Sequence, residues 1–298
     1  MKSTFKFLVI GGDGLIGSAL VQFLKKAKES FIYTSRRKTN MRIGCLHLDL
    51  AEEQFDWNEI DCVDVAVFCA GIKKVDVCEK NIITAKMVNV ENMFKLARIL
   101  ADKGAHIIYL SSNAVYDGSK EYPSHEDTVS PITEYGRQKA EAESLLISNY
   151  PSSVTILRLT KVLGLTNYLF DDWMLSLKKG NVIYPFSDMF IAPIPVSFVI
   201  SVIRLVADRR VTGILHLSGD KDYSYADIAF MASSWLGAKK EQVKPVLARD
   251  SNLHKSAIRT SKTALDISRV KCELGITPPE SRWSIQQAFL CPDVLNGA

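Results

Sequence analysis

The sequence has no CxxC pair, no run approaching the ~18 uninterrupted apolar residues of a membrane span, and no long block of like charge. Each absence removes a class of protein. The six cysteines (Cys45, Cys62, Cys69, Cys78, Cys272, Cys291) are scattered, and none stands in zinc-ligand spacing with the five histidines. Neither a disulfide framework nor a metal centre is expected, and the thiols read as packing residues of a reducing, cytoplasmic protein. Lys+Arg 37 against Asp+Glu 33 leaves +4, spread along the chain and too little for a nucleic-acid surface. Met1-Lys2 and the apolar run to Ile10 imitate a signal peptide, but Asp13 interrupts them and no convincing cleavage site follows, so no secretion is expected. Repeats and low-complexity linkers are also missing.

What remains is a globular composition, 298 residues with 47% in the broad hydrophobic set, enough for one large domain or two modest ones. Short apolar runs at Phe5–Ile10, Phe31–Thr34, Cys45–Leu48, Val63–Cys69, His106–Leu110, Val154–Leu159 and Ile214–Leu217 predict buried strands. Helical spacing fills the intervals after Gly14, over Met87–Lys103, over Tyr135–Ile147 and over Val196–Ala207. Alternation of this kind predicts an α/β fold, a Rossmann-like doubly wound parallel sheet. The dinucleotide-binding domain is expected over 1–164, with 195–218 returning to it. Residues 165–194 and 219–298, richer in proline and with only short helical stretches, are expected to form a small C-terminal substrate lobe.

Three segments carry chemistry. Gly11-Gly12-Asp13-Gly14-Leu15-Ile16-Gly17 follows a strand and opens a helix, the setting in which backbone amides of a helix N-terminus receive a pyrophosphate. Its alternative is a tight turn without ligand. Ser35-Arg36-Arg37 ends the second strand where an NAD-binding fold usually carries an acidic residue. Guanidinium groups there suit a 2′-phosphate and predict NADP, with NAD still open; the alternative is a solvated basic loop. Asp49-Leu50 is placed to cap the adenine edge, and Cys69-Ala70-Gly71 to let the cofactor pass. The third segment is Tyr135-Gly136-Arg137-Gln138-Lys139. Residues four apart share a helix face, so phenol and ammonium would meet in one site, the ammonium lowering the phenol's pKa. A second Tyr-x3-Lys at Tyr116 and Lys120 runs through Asp117-Gly118-Ser119 and belongs to a loop. Ser112, at the end of the strand before it, offers a hydroxyl to polarise a carbonyl. Arg158, Lys161 and Arg259 are candidate phosphate partners, with exposed surface as the alternative role.

In this order the motifs resemble the extended short-chain dehydrogenase/reductase family over essentially the whole chain. The order is glycine loop, Ser111-Ser112-Asn113-Ala114-Val115-Tyr116-Asp117-Gly118, Tyr135-x3-Lys139, then Leu157-Arg158-Leu159 leading to Val162-Leu163-Gly164. Val75-Asp76-Val77-Cys78-Glu79, Asp117-Gly118 and Thr263-Ala264-Leu265-Asp266 resemble its dTDP-4-dehydrorhamnose reductase-like branch. The resemblance implies a catalytic Ser112, Tyr135 and Lys139, with the last two also touching cofactor, and a sugar-nucleotide substrate whose 4-keto group is reduced. An epimerase of the same family is an alternative. So is a non-catalytic regulatory subunit, since that of methionine adenosyltransferase shares the branch. Asn113 stands where the reductases often carry Asp, and Asn113-Ala114 lacks the carboxylates of the family's dehydratases. Met87–Lys103 and Tyr135–Ile147 could build a homodimer interface, and a monomer fits equally.

Overall fold

The computed structural model describes residues 5–38, 44–52, 60, 63–164, 167–250 and 262–291. Cys62, Arg259 and the first residue of the expected lobe, Leu165, lie outside them. The chain opens with β1 (Lys6–Ile10), α1 (Leu15–Lys26), β2 (Ser30–Ser35), β3 (Cys45–His47) and β4 (Val65–Phe68). Next come α2 (Val75–Lys80), α3 (Ile82–Lys86), α4 (Asn92–Asp102), β5 (His106–Ser112), α5 (Glu134–Asn149) and β6 (Val154–Leu159). They are followed by β7 (Val162–Leu163), α6 (Tyr168–Lys178), β8 (Phe190–Ile191), β9 (Ile194–Pro195) and α7 (Val196–Arg209). The last elements are β10 (Gly213–Leu217), β11 (Tyr223–Ser224), α8 (Tyr225–Trp235), α9 (Ser268–Leu274) and α10 (Ser281–Leu290).

Seven strands form one sheet in the order β10-β6-β5-β4-β1-β2-β3. The pairs β5–β4, β4–β1, β1–β2 and β2–β3 are parallel. Strands covered on both faces need no polar alternation, which is why β4 reads Val-Ala-Val-Phe and is buried throughout. From β1 the chain first builds toward β3 and then crosses back to β4, so the strand order reverses between β1 and β4. Open α/β sheets bind ligands at the carboxyl ends of the strands flanking such a reversal. The glycine loop leaves β1 at this place, and Cys69-Ala70-Gly71 leaves β4 there.

The chain divides into two compact units. The first comprises 1–115, 129–158 and 200–215. Its core gathers Leu8, Ile10, Ala66, Phe68, Met93, Leu96, Ile107, Tyr109, Ala142, Leu146 and Ile156. The second comprises 116–128, 159–199 and 216–298. These boundaries differ from those expected in that 116–128, 159–164, 195–199 and 216–218 join the second unit. There Tyr116 donates to the Ser124 carbonyl at 2.8 Å, and Asp266 N donates to the Pro123 carbonyl at 3.1 Å.

The second unit is more helical than its prolines suggested. α6 and α8 run 11 residues each and α10 runs 10. They pack Phe170, Trp173, Ile228, Ala232, Ile285 and Phe289 into a core of their own, with the Phe170 and Phe289 rings stacked at 4.9 Å. α8 opens on a capping box, Ser224 with Asp227. The Thr263–Asp266 segment is stitched down by Asp222, which accepts from Thr263 N at 3.0 Å and Ala264 N at 3.3 Å. Two cysteines depart from the packing role assigned to all six: Cys272 and Cys291 are exposed, whereas Cys45 and Cys78 are buried. Among the described residues no helix is long and apolar enough to cross a membrane.

Candidate active site

The glycine loop is shaped by two contacts and left open at a third position. Gly11 has φ +86°, and a Cβ there would lie 2.8 Å from the Ala70 backbone. A Cβ on Gly17 would lie 2.1 Å from the Gly11 carbonyl oxygen. These two glycines let β1, the loop and α1 close on one another. Gly14 differs: a Cβ there meets only the Gly11 oxygen, at an ordinary 3.5 Å. Packing does not require glycine at 14, but close approach by a ligand backbone would. Gly14 is the N-cap of α1, whose end has no side-chain cap and no acidic residue in its first turn. The amides of the first turn, from Leu15 and Ile16 on, therefore keep their donors and the helix dipole unspent.

The end of β2 is fastened to this loop. Gly11 N donates to Thr34 Oγ1 at 3.0 Å, Gly12 N to the Thr34 carbonyl at 2.8 Å, and the Ser35 hydroxyl to Asp13. Arg36 and Arg37 are exposed beside it and make no ion pair among the described residues. An anion held by the loop would thus lie near two free guanidinium groups. Asp49 spends its carboxylate on Ala51 N at 2.9 Å, and Leu50 is buried, its carbonyl accepting from Asn92 Nδ2 at 2.8 Å. Cys69 N donates to the Ile10 carbonyl at 2.9 Å, and burial pushes its thiol up to about 12 despite the nearby Lys139, so it stays protonated. Ala70 packs under Gly11, and Gly71 has φ +154°. These residues fit an extended dinucleotide: amides for a pyrophosphate, cations at the second-strand end, small residues along the passage.

Ser112, Tyr135 and Lys139 come together at the carboxyl end of β5. Thr133 caps α5 by accepting from Gly136 N at 3.1 Å, and Glu79 of α2 accepts from Glu134 N at 2.9 Å. A Cβ on Gly136 would lie 2.1 Å from the Ala114 carbonyl oxygen, so only glycine lets the first turn of α5 settle against the turn after β5. That approach brings Tyr135 to Ser112, whose hydroxyl is hydrogen-bonded to the phenol. Burial pushes the Tyr135 phenol up to about 12, outweighing the Ser112 bond that works in the other direction.

The expected lowering by Lys139 does not occur. Its ammonium donates to Tyr109 Oη at 3.0 Å and to the Leu110 carbonyl at 2.8 Å, and lies 5.9 Å from the Tyr135 ring centroid. Burial brings the Lys139 ammonium down to about 8, partly offset by the Glu143 carboxylate. At neutral pH the site therefore holds a protonated phenol and a charged ammonium. Such a pair can give a proton to a carbonyl oxygen and stabilise the negative charge near it.

Several contributors were not visible in the sequence. Asn89 is buried in a π-helical turn (Met87–Glu91) that precedes α4 inside the stretch expected as one regular helix. Its side chain accepts from Ile72 N at 2.8 Å and donates to Gln138 Oε1 at 2.8 Å, tying the segment after β4 to α5. Arg158 is neither exposed nor free for a phosphate. It is buried in an ion pair with Glu143, Nη2 to Oε2 2.6 Å. A polar residue within an apolar strand signals such a partner without naming it. Lys161 is exposed. The Tyr116–Lys120 copy is a loop as expected: the phenol donates to the Ser124 carbonyl, and Lys120 pairs with Asp127 at 2.7 Å.

The chain is similar to several known proteins over most of its length. The dTDP-4-dehydrorhamnose reductase of Aggregatibacter actinomycetemcomitans is 26% identical over 288 residues, covering 92% of this chain and 95% of that protein. Methionine adenosyltransferase 2 subunit beta of Rattus norvegicus is also 26% identical, over 284 residues, covering 91% of this chain and 83% of that one. Among solved structures, the dTDP-4-dehydrorhamnose reductase of Bacillus anthracis in complex with NADP superposes with a TM-score of 0.82 at 20% identity, covering 97% of this chain and 99% of the other. The sequence profile of one family matches residues 5–290, and by it the chain belongs to the RmlD substrate-binding domain family.

Proposed function

We propose that the protein is an NADP(H)-dependent reductase of the 4-keto group of a nucleotide-linked deoxysugar. The observation that carries this reading is the Tyr135 phenol, hydrogen-bonded to Ser112 and held in its protonated form at neutral pH. In this reading Ser112 and Tyr135 bind the carbonyl oxygen of the substrate, and Tyr135 passes it a proton as negative charge develops. Lys139 would stay charged and hold the ribose hydroxyls of the cofactor, its positive charge stabilising the charge that develops nearby, and solvent would return the proton to the phenol. The cofactor, when bound, supplies the hydride. Gly11, Asp13, Gly14, Leu15 and Ile16 would hold its pyrophosphate, Ser35, Arg36 and Arg37 its 2′-phosphate, and Asp49 and Leu50 its adenine edge. Cys69, Ala70 and Gly71 would line its passage, with Tyr135 and Lys139 at the nicotinamide ribose. The second unit is the substrate-binding lobe of this proposal. Asn113 and Ala114 bring no carboxylate beside Ser112, which disfavours elimination of water.

The test is NADPH consumption by purified protein across a panel of keto-sugar nucleotides. Net oxidation of NADPH with a 4-keto deoxysugar nucleotide supports the reductase. Interconversion of sugar epimers without net consumption would replace it with the epimerase reading. NADPH binding without turnover on any substrate would favour a regulatory subunit, a reading supported by the equal identity to the methionine adenosyltransferase subunit.

A further inference from the structure

Behind the candidate active site, α5 and β5 are joined by two polar rungs. Side chains two apart on a strand share a face, and residues four apart on a helix share a face. Tyr109 and Ser111 therefore point together toward Lys139 and Glu143. On the first rung, Lys139 donates to Tyr109 Oη at 3.0 Å and to the Leu110 carbonyl at 2.8 Å. On the second, the Ser111 hydroxyl donates to Glu143. Arg158 of β6 closes that rung, its Nε 3.0 Å and its Nη2 2.6 Å from Glu143 Oε2. Glu143 and Arg158 are each only 4% exposed in their side chains, so water screens neither charge. A buried ion pair of this kind is rarely a gain in stability over apolar packing, which directs attention to what else the carboxylate does.

We propose that Glu143, held by Arg158 and Ser111 one helical turn from Lys139, is a positioning residue that keeps the Lys139 side chain a cation at the site. The proposal rests on the reductase reading for its consequence in turnover, but not for the charge it assigns to Lys139. The groups facing Lys139 are few. Glu143 lies one turn along α5, Tyr135 one turn back, Tyr109 on β5, Cys69 after β4 and Cys78 on α2. Burial raises both thiols and Tyr109, so at neutral pH they carry no charge, and Glu143 is the one anion of the set. Burial alone works to neutralise Lys139, and Glu143 opposes it most among these groups. Arg158 holds the carboxylate in place through Nε and Nη2, both within hydrogen-bond reach of Oε2.

The experiment is a pH titration of the Lys139 ammonium by NMR on 15N-lysine-labelled protein, assigned by its loss in Lys139→Met. Wild type is compared with Glu143→Gln and with the double variant Glu143→Gln/Arg158→Met, which removes both charges while filling the space. In both variants the Lys139 midpoint is expected at lower pH than in wild type, further down in the single variant because Arg158 is left unpaired. The alkaline limb of the kcat profile should move in the same direction, whereas a merely structural role would lower kcat evenly at all pH. If Glu143→Gln does not fold, the double variant carries the test. A wild-type midpoint in the folded double variant, or a shift to higher pH in either, overturns the proposal. A protein without turnover whose Lys139 still titrates lower in the variants refutes the reductase reading and leaves this one standing.

Discussion

Tyr135–Lys139 and Tyr116–Lys120 share one spacing and almost nothing else. The first pair stands on α5, capped by Thr133 and by Glu79 from α2, and its lysine is buried against Tyr109 and Leu110. The second lies in a loop of the other unit, where the phenol turns to Ser124 and His216 and the lysine pairs with Asp127 near solvent. Spacing sets which residues share a face only once the backbone is helical. Chemistry then depends on what the helix is packed against: here, the end of a buried strand offering Ser112.

Five variants break or sharpen this contrast. Tyr135→Phe keeps the ring and removes the proton donor, so kcat should fall by roughly 10²–10⁴-fold while NADPH affinity changes little. A reductase whose turnover survives the change would return attention to Tyr116. Gly136→Ala places a methyl against the Ala114 carbonyl and pushes Tyr135 away from Ser112. Thermal unfolding should report about 1–3 kcal/mol of overpacking. Kinetics should show a loss of up to ~10²-fold in kcat from misplacement, with cofactor binding kept.

Replacing both Arg36 and Arg37 with Ala addresses the cofactor end of the same unit. Calorimetry should show the preference for NADPH over NADH reduced about ten-fold or more, as expected for charge-assisted bonds of roughly 1.5–3 kcal/mol. A wild type that binds NADH more tightly would mean that the arginines are only solvated. The smallest effects belong to the loop copy. Tyr116→Phe should cost about 0.5–1.5 kcal/mol in chemical denaturation through its lost hydrogen bond, and Lys120→Met should leave kcat unchanged.

The legible part of this protein was the part written in periodicity. All seven strands of the sheet fall within or beside the apolar runs that predicted them. The four-residue step from Tyr135 to Lys139 was readable for the same reason. The illegible part lay in long-range pairings of buried polar groups. Nothing local says that Arg158 meets Glu143, that Asn89 bridges Ile72 to Gln138, or that Gly136 abuts Ala114. The expected lowering of the Tyr135 pKa failed on the same point, because a count of neighbouring charges omits the cost of burial, which here is the larger effect.

By itself the sequence determined the alternation of strand and helix, the glycine turn after β1, the placing of Ser112 at the end of β5, and that of Tyr135 and Lys139 on one face of α5. Those properties follow from local sterics, side-chain period and capping, which act over a few residues. Tertiary structure alone decided what Tyr135 and Lys139 are packed against, the protonation state of the phenol, and the carboxylate that stands behind the lysine. Each of these depends on desolvation and on partners brought from distant segments, and neither exists until the sheet has closed around them.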